Sequence, residues 1–416
     1  MRSITRRKFL ATSAAGAAVA TAAGFMGNVR FARADDEIVI ASLFDQSGGL
    51  DVYGTPMTMC ATLAVEEINA AGGLLGKKLR LISYDPQSNM ELYAQYAQEA
   101  ALKEKVAVVQ GAITSASREV IRPILGENKT MLWYSVIYEG GVCDMNNVVS
   151  GATPLQMGDP VVEYGMKNYG KKVYYIGADY NAPQIIGDWG KKYVTENGGE
   201  WLAKNLFPLD VTEFGPEISK IQAAKPDFLY TCLVGGAHIS FYRQWAAAGM
   251  LKKIPMVSFT FGVGNEHKSL KPEECDGIVS AQPYFQELET DANKAFVQRF
   301  QDRFGGPDKA PYLNSVGSGS YIGTWFWAEA VKKAGTIERE AVLKALATGM
   351  SWDGPSGKLT VDPASMHCIQ DVHLAKVEGG SWKVFQTIPQ MRPDDVKDRC
   401  DLTKNPETAE QFTPQI

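Results

Sequence analysis

Histidine is scarce and scattered. His238, His267, His367 and His373 are the only four in 416 residues, and no two cysteines form a C-x-x-C, so a zinc site is not expected. His367-Cys368 with His373 is better explained by a loop beside a strand than by a metal. Basic residues are outnumbered: 42 Lys and Arg against 47 Asp and Glu give a net charge of −5, without basic clusters, which disfavours nucleic acid as a partner. Beyond the first 34 residues no run of about 18 apolar residues offers a membrane span. Nucleotide loops are missing too. Gln46–Gly54 lacks the G-x-G-x-x-G spacing. Gly72-Gly-Leu-Leu-Gly-Lys-Lys78 lacks the terminal Ser/Thr of a phosphate loop and follows a helix pattern, so it reads as a helix stop. Gly317-Ser-Gly-Ser320 is not a G-x-S-x-G elbow. With no catalytic constellation and no cofactor motif, an α/β enzyme is the weaker reading and no cofactor is expected.

What is present begins with an address. Arg6-Arg7 followed by Phe9-Leu10, an Ala/Gly-rich run to Met26, and Ala32-Arg33-Ala34 resemble a twin-arginine signal peptide over 1–34, cleaved after Ala34. Export implies a periplasmic location where disulfides are permitted. Of the six cysteines, Cys60 and Cys232 lie in apolar patterns and read as buried free thiols. Cys143, Cys275, Cys368 and Cys400 read as loop residues; one or two bridges are open to them, and Cys368–Cys400 is the pairing carried forward.

Short apolar strands then alternate with amphipathic helices. Ile38–Leu43, Leu79–Tyr84, Val106–Gly111 and Thr130–Ser135 read as strands separated by helices, and the pattern restarts at Lys172–Gly177, Trp201–Pro208, Asp227–Leu233 and Pro255–Phe259. This is an α/β chain with parallel sheets in two similar halves. Helical patterns at 291–304, 320–334 and 338–348 precede a β-rich tail. In parallel sheets ligands collect at the carboxyl ends of strands, where helix N-termini present unpaired N–H groups. Three such ends are polar or aromatic here: Gly111–Ser117, Trp133–Gly140 and Gly177–Pro183. Ser115 stands where a helix N-cap belongs, so its hydroxyl serves either the helix or a ligand.

Asp45–Gly54, Ala64–Lys78 and Tyr84-Asp-Pro86 together resemble the opening of the type I, Leu/Ile/Val-binding-like periplasmic binding proteins of ABC transporters. Within that family Tyr134–Gly140, Gly151–Gln156 and Gly177–Tyr180 are similar to the urea- and short-chain-amide-binding branch. The resemblance implies two doubly wound parallel-sheet lobes joined by a three-segment hinge. It places 35–151 with 284–359 in an N-terminal lobe and 152–283 with 360–416 in a C-terminal lobe, with crossovers near 149–153, 279–284 and 359–363. The solute is then gripped between the lobes by hinge closure and delivered to permease and ATPase subunits at the membrane, by a monomer.

Matched residue by residue, the resemblance assigns the ligand to Ser115, Tyr53, Tyr134, Tyr138 and Tyr180, with Val136 as a backbone contact. Ile113, Ala182, Val234 and Phe261 would make the pocket apolar and roomier than one shaped for urea. Phe261 falls where amino-acid binders carry the acid for an α-ammonium, unless Glu266 supplies it. An unpaired ammonium in a closed cleft costs several kcal/mol, roughly, so a standard amino acid is disfavoured. An amide, urea-like solute or organic acid fits; branched-chain amino acids and aromatic acids are the alternatives within the family. An exported ligand sensor is the alternative in kind.

Overall fold

The computed structural model describes residues 37–415, and the expected signal peptide lies outside them. The first set of elements is β1 (Glu37–Leu43), α1 (Asp51–Ala70), β2 (Lys78–Tyr84), α2 (Met90–Gln98), β3 (Val108–Gly111), α3 (Ser115–Glu127), β4 (Met131–Tyr134), β5 (Val142–Asp144) and β6 (Asn147–Val149). A second set follows: α4 (Asp159–Asn168), β7 (Lys172–Ala178), α5 (Asn181–Glu196), β8 (Glu200–Phe207), α6 (Gly215–Ala224), β9 (Phe228–Cys232), α7 (Gly236–Ala247), β10 (Met256–Ser258), α8 (Glu266–Ser269), α9 (Pro272–Cys275) and β11 (Val279–Gln282). Then come α10 (Asp291–Arg303), α11 (Ser315–Ala334), α12 (Arg339–Leu346), β12 (Ser351–Gly354), β13 (Gly357–Asp362), β14 (His367–Glu378), β15 (Ser381–Met391) and β16 (Ala409–Gln411). Among the described residues no helix is long and apolar enough to cross a membrane.

The mixed α/β architecture read from the alternation is present. β2-β1-β3-β4-β6 run parallel in that order, and so do β8-β7-β9-β10-β11. Apolar residues at nearly every position make both sets buried strands covered by helices. β14 joins them. Its first residue, His367, pairs with Val149 of β6, and its far end, His373–Lys376, pairs antiparallel with β11. The chain passes from one set to the other after β6, after β11 and along β14. The third passage thus lies further along than the expected 359–363, because β14 runs unbroken from its pairing with β13 to its pairing with β11.

α11 begins more than a turn earlier than its 320–334 pattern suggests. α1 starts at Asp51, which places Tyr53 on its first turn, and α11 starts at Ser315 behind an Asn314 cap whose side chain accepts the Gly317 N–H at 2.9 Å. The small residues of α11 are packing residues. A Cβ on Gly323 would stand 2.7 Å from the Trp133 ring, and one on Gly319 2.8 Å from the Ser135 carbonyl oxygen. α11 therefore lies directly against α1 and the strand ends of the first set.

The expected Cys368–Cys400 bridge is not formed; Cys400 pairs with Cys143. Cys368 is locked into β14 opposite Val361 of β13, whereas β16 pairs antiparallel with β5 and carries the tail past Cys143. That pairing also sets the end of the chain, grouped by sequence with the second half, against an element of the first. Cys60, Cys232, Cys275 and Cys368 are buried free thiols. Asp395, in the same tail, is half-buried with its carboxyl turned inward, and it accepts the Leu155 N–H at 2.9 Å. Burial pushes its carboxyl up to about 6, and the Leu155 N–H offsets only part of that.

Thiol titration of the unfolded, unreduced protein should give four thiols, and peptide mapping should link Cys143 to Cys400. Cys143→Ser should lower stability by roughly 2–5 kcal/mol in denaturant melts. The folded-state value of Asp395 lies above its ordinary 3.8, so the folded protein binds its proton more tightly. Stability is therefore lost as pH rises from about 4 to 6, by about 3 kcal/mol for two units. Asp395→Asn should flatten that part of the stability–pH curve and raise stability at pH 7.

Candidate functional site

The stretch 111–117 resolves the question of the Ser115 hydroxyl. Thr114, not Ser115, is the N-cap of α3. Its side chain accepts the Ser117 N–H at 3.0 Å, and the Ser117 hydroxyl accepts the Thr114 N–H at 3.1 Å, a reciprocal capping box. Ser115 is the first helical residue. Its hydroxyl is not spent on the cap, and its N–H has no earlier carbonyl in the helix to bond.

A cavity of about 50 Å³ opens at this point, between the carboxyl ends of both sets of strands. A single water needs about 10–15 Å³ on that measure, so the space holds a group of several heavy atoms. From the first set it is lined by Leu50, Tyr53, Ile113, Thr114, Ser115, Tyr134, Val136, Ile137 and Val316. From the second come Tyr180, Ala182, Ile186, Cys232, Val234, Phe259, Thr260 and Val263. The walls are predominantly aliphatic and aromatic, and none of these residues is charged. Burial pushes the Cys232 thiol up to about 12, which leaves it protonated and inert.

Local sequence aims each wall. Asp45 accepts the Tyr93 hydroxyl at 2.9 Å and the Ser88 N–H at 2.7 Å, and Asp85 accepts the Gln46 N–H at 2.9 Å. These contacts tie the loop after β1 to the loop after β2 and set Leu50 and Tyr53 over the cavity. Gly151 does the same for Val136: a Cβ there would stand 1.8 Å from the Val136 carbonyl oxygen, so only glycine lets the first crossover lie against this wall. The Tyr134 hydroxyl donates to the Ile113 carbonyl at 3.0 Å, and burial raises its pKa well above the ordinary phenol range. Contacts between the two sets close the space. The Gly235 N–H donates to the Tyr53 hydroxyl at 3.3 Å, and Trp189 Nε1 donates to the Glu139 carbonyl at 3.1 Å.

Seven of the nine residues read as ligand-binding, Tyr53, Ile113, Ser115, Tyr134, Val136, Tyr180 and Ala182, line this one cavity, and Val234 joins them. Two do not. Tyr138 turns away from it and donates its hydroxyl to His367 Nε2. Burial brings the His367 imidazole down to about 4, and its Nδ1–H donates to the Ser365 carbonyl at 2.8 Å, leaving Nε2 as the acceptor for Tyr138. Phe261 is packed edge-on against Tyr242 at 4.8 Å and close to Trp382, behind the cavity wall. Glu266 does not face the cavity either. Its carboxylate accepts the Gly262 N–H at 2.6 Å and the Gly264 N–H at 3.1 Å, and pairs with His238 at 3.1 Å. Burial alone would raise its pKa, but His238 and the N–H groups outweigh burial and hold it below the usual carboxylate range.

Sequence reasoning missed the charges behind Ser115. Arg118 and Glu139 are both fully buried and pair at 2.9 Å between Nη2 and Oε1. Ser115 donates to the other Glu139 oxygen and accepts from Arg118 Nη1 at 3.2 Å. The guanidinium also lies 5.0 Å from the Tyr134 ring centre and 4.5 Å from that of Tyr138. Burial works against its charge, yet Glu139, together with Tyr134, Glu119 and Tyr138, more than compensates and the pKa is raised. Gln411 of β16 donates to Glu139 as well. The available signals were the i, i+3 spacing of Ser115 and Arg118 and the place of Glu139 in the Tyr134–Gly140 motif.

Residues 38–397 match the periplasmic binding protein domain family. The Leu/Ile/Val-binding protein homolog 6 of Brucella melitensis is 24% identical over 73% of this chain and 79% of its own length. The leucine-, isoleucine-, valine-, threonine- and alanine-binding protein of Pseudomonas aeruginosa is 24% identical over 81% of this chain and 88% of its own. Among solved structures, a solute-binding protein of an ABC transporter from R. palustris, in complex with 4-hydroxybenzoate, superposes with a TM-score of 0.77 at 22% identity, covering 88% of this chain and all of that one. Leucine-binding protein LivK of Thermotoga maritima gives 0.72 at 21% identity over 86% of this chain. The chain belongs to the periplasmic binding protein family, in its type I, Leu/Ile/Val-binding-like form.

Proposed function

We propose that this protein is the extracytoplasmic solute-binding component of an ABC importer, and that it captures a small organic solute with an apolar or aromatic body and one polar end. The observation that carries this reading is the uncharged cavity between the strand ends of both sets, with Ser115 as the polar point of its first-set wall. Its walls match the solute: aliphatic and aromatic side chains take the body, while Ser115, the first turn of α3 and the Tyr180 phenol take the polar end. Lining residues from both sets mean that the solute makes its full contacts only when they meet, which favours the closed arrangement by that difference. The residues from Glu37 to Val149 together with α10–α12 act as one lobe and those from α4 to β11 as the other, with the three passages as the hinge. Delivery to a permease and its ATPase, as a monomer exported by the twin-arginine route, completes the reading.

The ligand class follows from what the walls lack. No lining residue is a carboxylate, and Glu266 is committed to the 262–264 backbone, so the ammonium of an α-amino acid has no countercharge in the cavity. The apolar lining also disfavours urea. Among related structures, those from R. palustris in complex with 4-hydroxybenzoate and benzoate hold solutes whose aromatic body would suit such walls.

Thermal shift and isothermal titration against urea, aliphatic amides, aromatic amides, aromatic acids and branched-chain amino acids test the proposal. A solute at 100 times its Kd should stabilise by about 2.7 kcal/mol. Ala182→Trp, which fills the cavity from α5, should abolish that response while the protein alone still unfolds cooperatively. Ser115→Ala and Tyr180→Ala should each weaken binding roughly tenfold, the loss of about one hydrogen bond in a closed site. Full affinity in all three variants would remove this cavity from the function.

A further inference from the structure

The hydroxyl of Ser115 has one hydrogen and two lone pairs, and two of these three are already committed. Its hydrogen goes to Glu139 Oε2, because a carboxylate can only accept. One lone pair takes Arg118 Nη1 at 3.2 Å. Glu139 is itself immobilised: its Oε1 receives Arg118 Nη2 at 2.9 Å and the Gln411 amide, while its backbone carbonyl receives Trp189 Nε1. What Ser115 has left for the cavity is a lone pair. The Thr114 hydroxyl, next to it on the wall, is held in the capping box.

Charge points the same way. The network behind Ser115, buried except at the half-exposed Glu119, contains two guanidinium groups, Arg118 and Arg122, and three carboxylates, Glu119, Glu139 and Asp144. The helix N-terminus favours an anion, but the network is one negative charge in excess and no cation lines the cavity. An anionic end at Ser115 would have to turn the hydroxyl hydrogen away from Glu139, leaving Oε2 of a fully buried carboxylate without its partner.

We propose that Glu139 is a specificity-determining positioning residue: by holding the Ser115 hydrogen it presents an acceptor to the cavity and selects solutes whose polar end is a hydrogen-bond donor, such as a carboxamide N–H, over the corresponding carboxylates. The inference rests on the cavity being the solute site and narrows the solute to the donor-bearing class. Gln411 ties the C-terminal tail into the same arrangement.

The test compares matched probes by isothermal titration at pH 7: benzamide against benzoate, and isovaleramide against isovalerate. The amide of a binding pair should be favoured by at least about tenfold in the unaltered protein, as expected for leaving a buried acceptor unpaired. In Glu139→Gln the hydroxyl is freed to donate, and the ratio should fall to about threefold or below. A merely structural role of Glu139 would weaken both members equally and leave the ratio intact. Should that variant fail to fold, Ser115→Ala, which removes only the hydroxyl on the cavity wall, must show the same collapse of the ratio. Carboxylates bound as tightly as amides by the unaltered protein, or a preference surviving in either variant, would overturn the inference and leave the cavity as the solute site. Absence of binding by all four probes would overturn the cavity reading and the inference together.

Discussion

A single strand holds the two halves of this molecule in register. β14 gives its first residue to the first set of parallel strands and its last turns of hydrogen bonding to the second. Sheet hydrogen bonds are directional, so this sharing turns the carboxyl ends of β3 and β4 toward those of β7, β9 and β10. Those ends carry the short polar loops and helix N-termini of a doubly wound fold, so bringing them face to face creates the site. The same strand carries His367, which anchors Tyr138, and Cys368, whose carbonyl accepts from Gln156 at 2.9 Å. The strand that joins the two sets and the wall behind the cavity are therefore one hydrogen-bonded unit.

Behind that wall lies an arrangement that is costly in isolation. Burying a guanidinium and a carboxylate costs several kcal/mol per ion, roughly, and their attraction repays this only if the remaining donors and acceptors are satisfied. Here they nearly all are. Arg118 serves Glu139, Glu119 and Ser115 and lies over two tyrosine rings, while Glu139 receives Ser115, Arg118 and Gln411. Such a network adds little net stability over an apolar core of the same volume. Its effect is to hold polar atoms in one orientation, which is what discrimination between similar solutes requires.

The C-terminal tail belongs to this arrangement. β16 adds to β5, Cys400 is bonded to Cys143, and Arg122 of α3 donates to the Ala409 carbonyl at 3.1 Å. A segment that composition alone would class as a polar extension is thus fastened at several points around the loop that bears Glu139. Fastening a chain end by a covalent link and a short strand removes the freedom that termini ordinarily keep.

The order of strands and helices, the two halves and the polar strand ends were legible in the sequence, because apolar periodicity and Gly stops are local properties. So was most of the cavity: Ser115, Tyr134 and Tyr180 sit where parallel strands end, and that position alone marks them. Side-chain direction was not legible. Tyr134 ends β4 and Tyr138 follows four residues later, yet one lines the cavity and the other joins His367, over two hundred residues away in the chain. Phe261 and Cys368 were misplaced for the same reason, since neighbours across a sheet leave no mark in the local pattern. The sequence by itself determined which elements form and where polar groups meet strand ends. Tertiary structure alone decided that Arg118, Glu139 and Gln411 converge behind Ser115, because burial and pairing of charges depend on contacts between segments far apart in the chain.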